Sequence, residues 1–246
     1  MTITKSAAPV RQSPSTPLAT AGSSTAATVY RTLALIVGAI VLVVGVGALW
    51  GGRFADSFIA EEMARQNITM PSEQAIDSQL ASQRIDQQTA DELRPYADLQ
   101  MADGNHAKAY AGYIQDHMAA AGAAAGLPAE QATYSGIGAA YGEVEAALTA
   151  EIAADHPKAS EEEVAALTAK EIADPTSDYE TAREAAGLKA LRFDTMFNGN
   201  MLVGTLLNVY GWGLIGTIAT WAGLACLVIG PLLILGGSLI RPKANR

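Results

Sequence analysis

The sequence predicts a mainly α protein, a two-helix transmembrane hairpin with an extracytoplasmic all-helical domain carried between its arms. Three observations lead there. Residues 32–52 and 197–240 hold no charged side chain, all 25 acidic residues lie between those blocks from Asp56 to Asp194, and the flanks outside them carry only Lys and Arg. Basic flanks are retained on the cytoplasmic side of a bilayer, so this segregation places both ends there and the acidic centre on the far side.

Residues 1–29 are rich in Ser, Thr, Ala and Pro with few large apolar side chains. They cannot bury enough surface to offset the entropy of ordering and read as a disordered cytoplasmic tail, solvated rather than built for a modification. Residues 30–52 read as transmembrane helix 1, because the uncharged run inside them spans about 30 Å at 1.5 Å per residue. A cleaved signal peptide is the competing reading. The run is too long for one, and Leu49-Trp50-Gly51-Gly52 offers no Ala-x-Ala site, so an uncleaved anchor is expected.

Residues 53–200 contain every acid and ten of the 16 basic residues, which leaves them fifteen charges negative. Length alone allows one modest domain with its own core. The acidity argues against nucleic acid as a partner. Cys226 stands alone and falls in the second apolar block, so the domain has neither an internal disulfide nor a cysteine metal site and must be held by packing.

Within the domain every segment reads as helix. Phe54, Phe58, Ile59 and Met63 continue the first helix to about Gln66, with Gly51-Gly52 as a possible joint. Residues 67–72, with Pro71, break it. A helical region over 73–94 ends before Pro95, Asp103-Gly104 marks a turn, and 106–121 form the next helix. Pro128 opens a helical turn, and a longer helix over 135–154 stops ahead of Pro157. Ser160 with Glu163, and Ser177 with Glu180, fit the Ser-x-x-Glu capping box, so two further helix starts are expected.

The second apolar block is about twice what one crossing needs. Arg241, Lys243 and Arg246 come after it, and keeping them inside requires a single crossing, read as transmembrane helix 2 over 213–240, with a basic cytoplasmic tail at 241–246. Residues 201–212 are then an outer interfacial segment or a helix extension. Tyr30 is expected at the inner boundary, with Trp50, Tyr210 and Trp212 as interface anchors at the outer one; Trp221 falls inside the span without an explanation.

Candidate chemistry is sparse. His106, Tyr110, Tyr113 and His117 share one helical face, with Asp103 and Asp116 nearby. Two histidines about 16 Å apart along a helix cannot ligate one zinc ion, so an amphipathic packing stripe is the simpler reading. His156 before Pro157 reads as a helix C-terminal residue, and Glu161, Glu162 and Glu163 as a first turn favoured by the macrodipole. Asn67-Ile68-Thr69 matches a glycosylation sequon. No nucleophile, base or metal set can be assembled, so no catalytic, cofactor-binding or metal residue is named and no cofactor is expected. Glycines supply the one repeated pattern: Gly38, Gly45 and Gly52 in the first span, and Gly216, Gly223, Gly230 and Gly237 in the second, recur every seven residues. Each set forms a strip on which another helix can approach closely, so these are the expected helix-packing residues. Gly230-Pro231 is expected to kink the second helix.

Leu93-Arg94-Pro95-Tyr96-Ala97, Asp103-Gly104, Ala107-Lys108-Ala109-Tyr110-Ala111, Met196-Phe197 and Leu206-Leu207-Asn208-Val209-Tyr210-Gly211-Trp212 resemble a family of two-span membrane proteins from actinobacteria. Some of that family carry the label of aromatic ring-opening dioxygenase subunits. Non-haem iron would need a His and carboxylate cluster that these residues do not supply. The resemblance implies an actinobacterial plasma membrane and the same hairpin layout, and brings no catalytic residues. The expectation is therefore a non-enzymatic structural or accessory component of a membrane or envelope assembly. Its partners would be the lipid bilayer and a membrane protein or a second copy. An extracytoplasmic ligand-binding or sensing module stands as the alternative.

Overall fold

The computed structural model describes residues 21–240, with side chains from Thr25 onward. The tail read over 1–20 and the basic tail at 241–246 lie outside the described residues. Within them eight α-helices run in order: α1 (Ala21–Gln66), α2 (Glu73–Ala81), α3 (Gln87–Leu93), α4 (Gly104–Ala124), α5 (Tyr134–Asp155), α6 (Glu161–Ala173), α7 (Glu180–Ala190) and α8 (Asn198–Leu239). A 3₁₀ turn (Arg94–Tyr96) comes after α3, and a π-helical turn (Leu191–Phe197) joins α7 to α8. Among the described residues the only β feature is an isolated antiparallel bridge between Thr69 and Gln100.

Helix α1 begins at Ala21, so residues 21–29, expected in the tail, are helical. Once a helix exists each added residue gains one hydrogen bond without a new nucleus, so a lead-in of Ala, Gly, Ser and Thr can extend one that is already formed. It runs through Gly51-Gly52 without interruption and stops at Asn67, which takes the left-handed conformation (φ 51°) that Asn tolerates at a helix end. Residues 201–212 are helical and belong to the same α8 as the apolar segment beyond Gly213, which is the extension rather than a separate surface segment. Helix α8 also continues through Pro231.

The chain divides into two units, residues 21–51 with 219–240, and residues 52–218. In the first, the two apolar segments run antiparallel, and Val29, Leu33, Ile36, Ile40, Val43, Ile229, Leu232 and Leu239 stand exposed. Both α1 and the helical run ending in α8 are long and apolar enough to cross a membrane, yet only 11% of the most apolar 18-residue window of each is buried. A core helix of a soluble domain would be mostly covered; these are not.

The second unit is a helical body with two cores. The larger gathers Ile59, Ile76, Ile85, Leu93, Ile137, Val203 and Leu206 around Met63, Met70, Met101, Met118 and Met196. Unbranched thioethers fill the irregular spaces that short helices at several angles leave. The smaller core, Leu148, Ile152, Val164, Ile172, Ala182 and Ala185, belongs to a three-helix group of α5, α6 and α7. Helix starts are capped as their sequences dictate. Ser72 accepts from the Ala75 N–H, Asp86 from Thr89, Asp103 from Asn105 and His106, and Thr133 from Gly136. The expected box at Ser160 is complete, its hydroxyl accepting from the Glu163 N–H while the Glu163 carboxylate accepts from the Ser160 N–H at 2.8 Å. The one expected at Ser177 does not form. Helix α7 starts behind Tyr179 with no side-chain cap; the buried Ser177 hydroxyl instead accepts from the Tyr179 N–H at 3.3 Å and donates to Glu171 at 2.7 Å.

Candidate functional site

In the first unit the glycine strips meet each other. A Cβ on Gly38 would lie 2.8 Å from Ile234 Cγ1 and 2.9 Å from the Gly230 carbonyl; on Gly45 it would lie 2.8 Å from Cys226 Cβ. On Gly223 it would meet the Leu49 nitrogen at 2.7 Å and the Gly45 carbonyl at 2.9 Å, and on Gly230 the Gly38 carbonyl at 2.9 Å. Gly237 faces Ala34 and the Arg31 carbonyl. Backbones at this separation leave room for hydrogen only, which is why these positions lack side chains. Gly47 and Gly236, off the seven-residue spacing, have nothing near them. In the body, Gly216 lies against Ala55, Asp56 and the Gly52 carbonyl.

The four residues expected as interface anchors are divided between the two units. Tyr30 and Trp50 belong to the first unit and are exposed. Tyr210 and Trp212 belong to the body, where the Tyr210 backbone packs on Gly104 at the start of α4 and the Lys108 ammonium stands 5.9 Å from the Tyr210 ring. Segments around Leu93, Gly104 and Tyr210 converge there. Leu93 is fully buried, Arg94 ties α2 to α3 through Asp77 and Asp91 at 3.1 and 2.7 Å, and the Tyr96 ring meets His106 edge-on at 4.6 Å. The hydrogen bond to Asp77 is the largest influence raising the Arg94 pKa. Leu206 is buried one turn from Tyr210. These residues fasten α3, α4 and α8 together.

The His and Tyr stripe is likewise occupied by packing. His106 is buried and its Nδ1 accepts the Ala102 N–H at 3.0 Å, a role that leaves no proton there for nearby Asp103. His117 has Nδ1 2.8 Å from the Tyr113 carbonyl and Nε2 3.0 Å from the Gln79 side chain. Tyr113 lies against both Tyr110 and His117, and burial raises its pKa. Asp116 accepts the Asp86 N–H. Among the described residues no three His, Cys, Asp or Glu side chains gather where they could hold a metal ion.

Two features were not legible in the sequence. Arg192, in the π-helical turn, stacks its guanidinium over the Tyr134 ring at 4.5 Å and against Gly138, whose missing side chain makes the space; its Nε is buried without a hydrogen bond. Tyr141 donates to Glu145 at 2.9 Å, and burial first, then that bond, pushes its pKa up to about 12. Two of the surface grooves among the described residues bear on these candidates. One groove of about 830 Å³ lies at the α5–α6 turn beside Asp155, His156, Lys158, Glu163 and Lys170. Of its polar lining, Asp155 accepts from Tyr179 and Glu163 caps α6. A cleft of about 360 Å³ between α3 and α4 is lined by Asp86, Glu92, Lys108, Asp116 and Leu207. No family model, curated protein or solved structure matches the chain.

Proposed function

We propose that the chain is an integral protein of an actinobacterial plasma membrane, with both termini cytoplasmic and the acidic body outside, serving as a non-enzymatic structural or accessory component of a membrane or envelope assembly. The uncovered apolar surface of the body carries this reading. Met201, Leu207, Trp212, Leu214, Ile215 and Ile218 on α8, with Phe193 and Phe197 before them, stand exposed within residues 52–218. A water-facing helix normally turns charged side chains outward, whereas α8 has none. Large contiguous apolar exposure marks an interaction surface. The glycine strips are already used between the two segments of the first unit, so a partner would dock on the other faces.

The test is photocrosslinking from Met201 and Leu214 in native membranes, with Glu161 as the exposed control, and then sizing in mild detergent. A discrete adduct from the two apolar positions and a stoichiometric complex or homo-oligomer are expected. A monomer that crosslinks from neither position overturns the assembly reading. The sensing alternative draws on the groove at the α5–α6 turn, two of whose acidic groups, Asp155 and Glu163, are already bonded to Tyr179 and Ser160.

A further inference from the structure

Trp221 has no place in a span whose outer edge lies at Trp212, yet it is 70% exposed and, with Trp50 at 71%, is among the most exposed large side chains described. The antiparallel register of the first unit accounts for it. Gly223 lies against both Gly45 and Leu49, so Trp221, two residues earlier, comes level with Leu49 and Trp50. At the other end Gly237 lies against Arg31 and Ala34, which brings Ile240 level with Tyr30. From Tyr30 to Trp50, and from Trp221 to Ile240, the helical rise is about 30 Å, the thickness of a hydrocarbon core. Both segments therefore cross with nothing to spare, and each ends in an exposed indole at the same level.

We propose that Trp50 and Trp221 together mark the outer hydrocarbon–headgroup boundary of the bilayer, so that residues 32–50 and 221–240 are the lipid-embedded segments. Tyr210 and Trp212 are then not outer anchors. This rests on the membrane-spanning reading proposed for the chain. Indole rings prefer that level because the apolar body faces acyl chains while the N–H reaches hydrated headgroups. A second observation favours this boundary over one at Trp212. Gly216 packs on the Asp56 side chain, with Oδ1 3.1 Å from a Cβ placed there, and Arg53 precedes Asp56 on the same helix. Lipid reaching Trp212 would place both charges in hydrocarbon, where ionised side chains are rare and need dedicated partners. With the boundary at Trp50 and Trp221, Arg53 and Asp56 stay in water and the charge-free first half of α8 needs no lipid.

The experiment uses full-length chains retaining one tryptophan each, the other two changed to Phe, in phosphatidylcholine vesicles with acyl chains brominated near the headgroup or near the bilayer centre. Acrylamide reports exposure to water. Trp50 and Trp221 are each expected to lose most of their fluorescence to the shallow bromines and less to the deep ones, while Trp212 responds to acrylamide and not to bromine. Deep quenching of Trp221 with shallow quenching of Trp212 would overturn the boundary and leave the span intact. Shielding of Trp50 or Trp221 from bromine and acrylamide alike would mean that protein covers it, and would overturn the lipid assignment. Absence of bromine quenching at all three positions would overturn the spanning reading itself. Where a Phe variant fails to insert, Tyr at the same position carries the measurement.

Discussion

Gly223 and Gly47 sit in the same unit, both in helices, and differ in what a methyl group would meet. At Gly223 it would press on the Leu49 nitrogen and the Gly45 carbonyl, backbone atoms that cannot rotate aside; at Gly47 it meets nothing within 4 Å. Gly223→Ala should therefore force the two helices apart and cost about 1–3 kcal/mol, the range for overpacking. Gly47→Ala should change little. Thermal unfolding in detergent micelles checks the pair, and equal effects at both positions would remove the close approach as the cause. The seven-residue spacing was readable in the sequence, since the positions that meet are those spaced by seven. Which strip faces which, and in what register, was not, because spacing alone leaves the sliding of one helix on another undetermined. Trp221 stays unexplained in the sequence for that reason: its level depends on Gly223 lying against Leu49.

At the scale of the element, two helix starts had identical signatures and one was realised. Ser160 and Glu163 cap α6 reciprocally, whereas the Ser177 hydroxyl accepts from the Tyr179 N–H, two residues on, and α7 begins behind Tyr179. A capping motif is realised only where the backbone enters the helix at its serine rather than turning first. The break between α2 and α3 was equally hidden. It falls at Gln83, left-handed at φ 57°, with the Arg84 N–H returning to the Gln79 carbonyl and Gln83 to Leu80, a helix ending usually signalled by glycine. The realised box makes α6 pH-sensitive. The Ser160 N–H, and then its hydroxyl, hold the Glu163 carboxyl below its ordinary range, so the stabilisation is present above the ordinary value and lost as pH falls through the lowered one. Ser160→Ala should remove a cap of about 1 kcal/mol at neutral pH, and the deficit should shrink in acid once Glu163 is protonated. Urea unfolding of both chains across that range measures the difference; a deficit independent of pH would show that the hydroxyl's bond to the carboxylate contributes nothing.

For the whole molecule, the helical class, the order of the helices and the two long apolar elements followed from charge segregation and periodicity, because both are properties of the chain taken one segment at a time. The division into units and the convergence of Leu93, Gly104 and Tyr210 depend on segments far apart in sequence. The chemistry of the body's larger core has a practical outcome. Five of the seven methionines lie within it, Met70, Met101 and Met196 almost fully enclosed, while Met201 is 60% exposed. Peroxide reaches sulfur only where solvent does, and a sulfoxide is too polar to return to an apolar interior. Brief peroxide treatment should oxidise Met201 ahead of the enclosed five, which react only as fast as the body opens, with mass spectrometry of peptides locating the added oxygens. Simultaneous oxidation of Met101 and Met201 in folded protein would contradict the enclosure. The thioethers thus act as a built-in clock for breathing of the body, and each molecule opened under oxidising conditions keeps a permanent chemical mark of it.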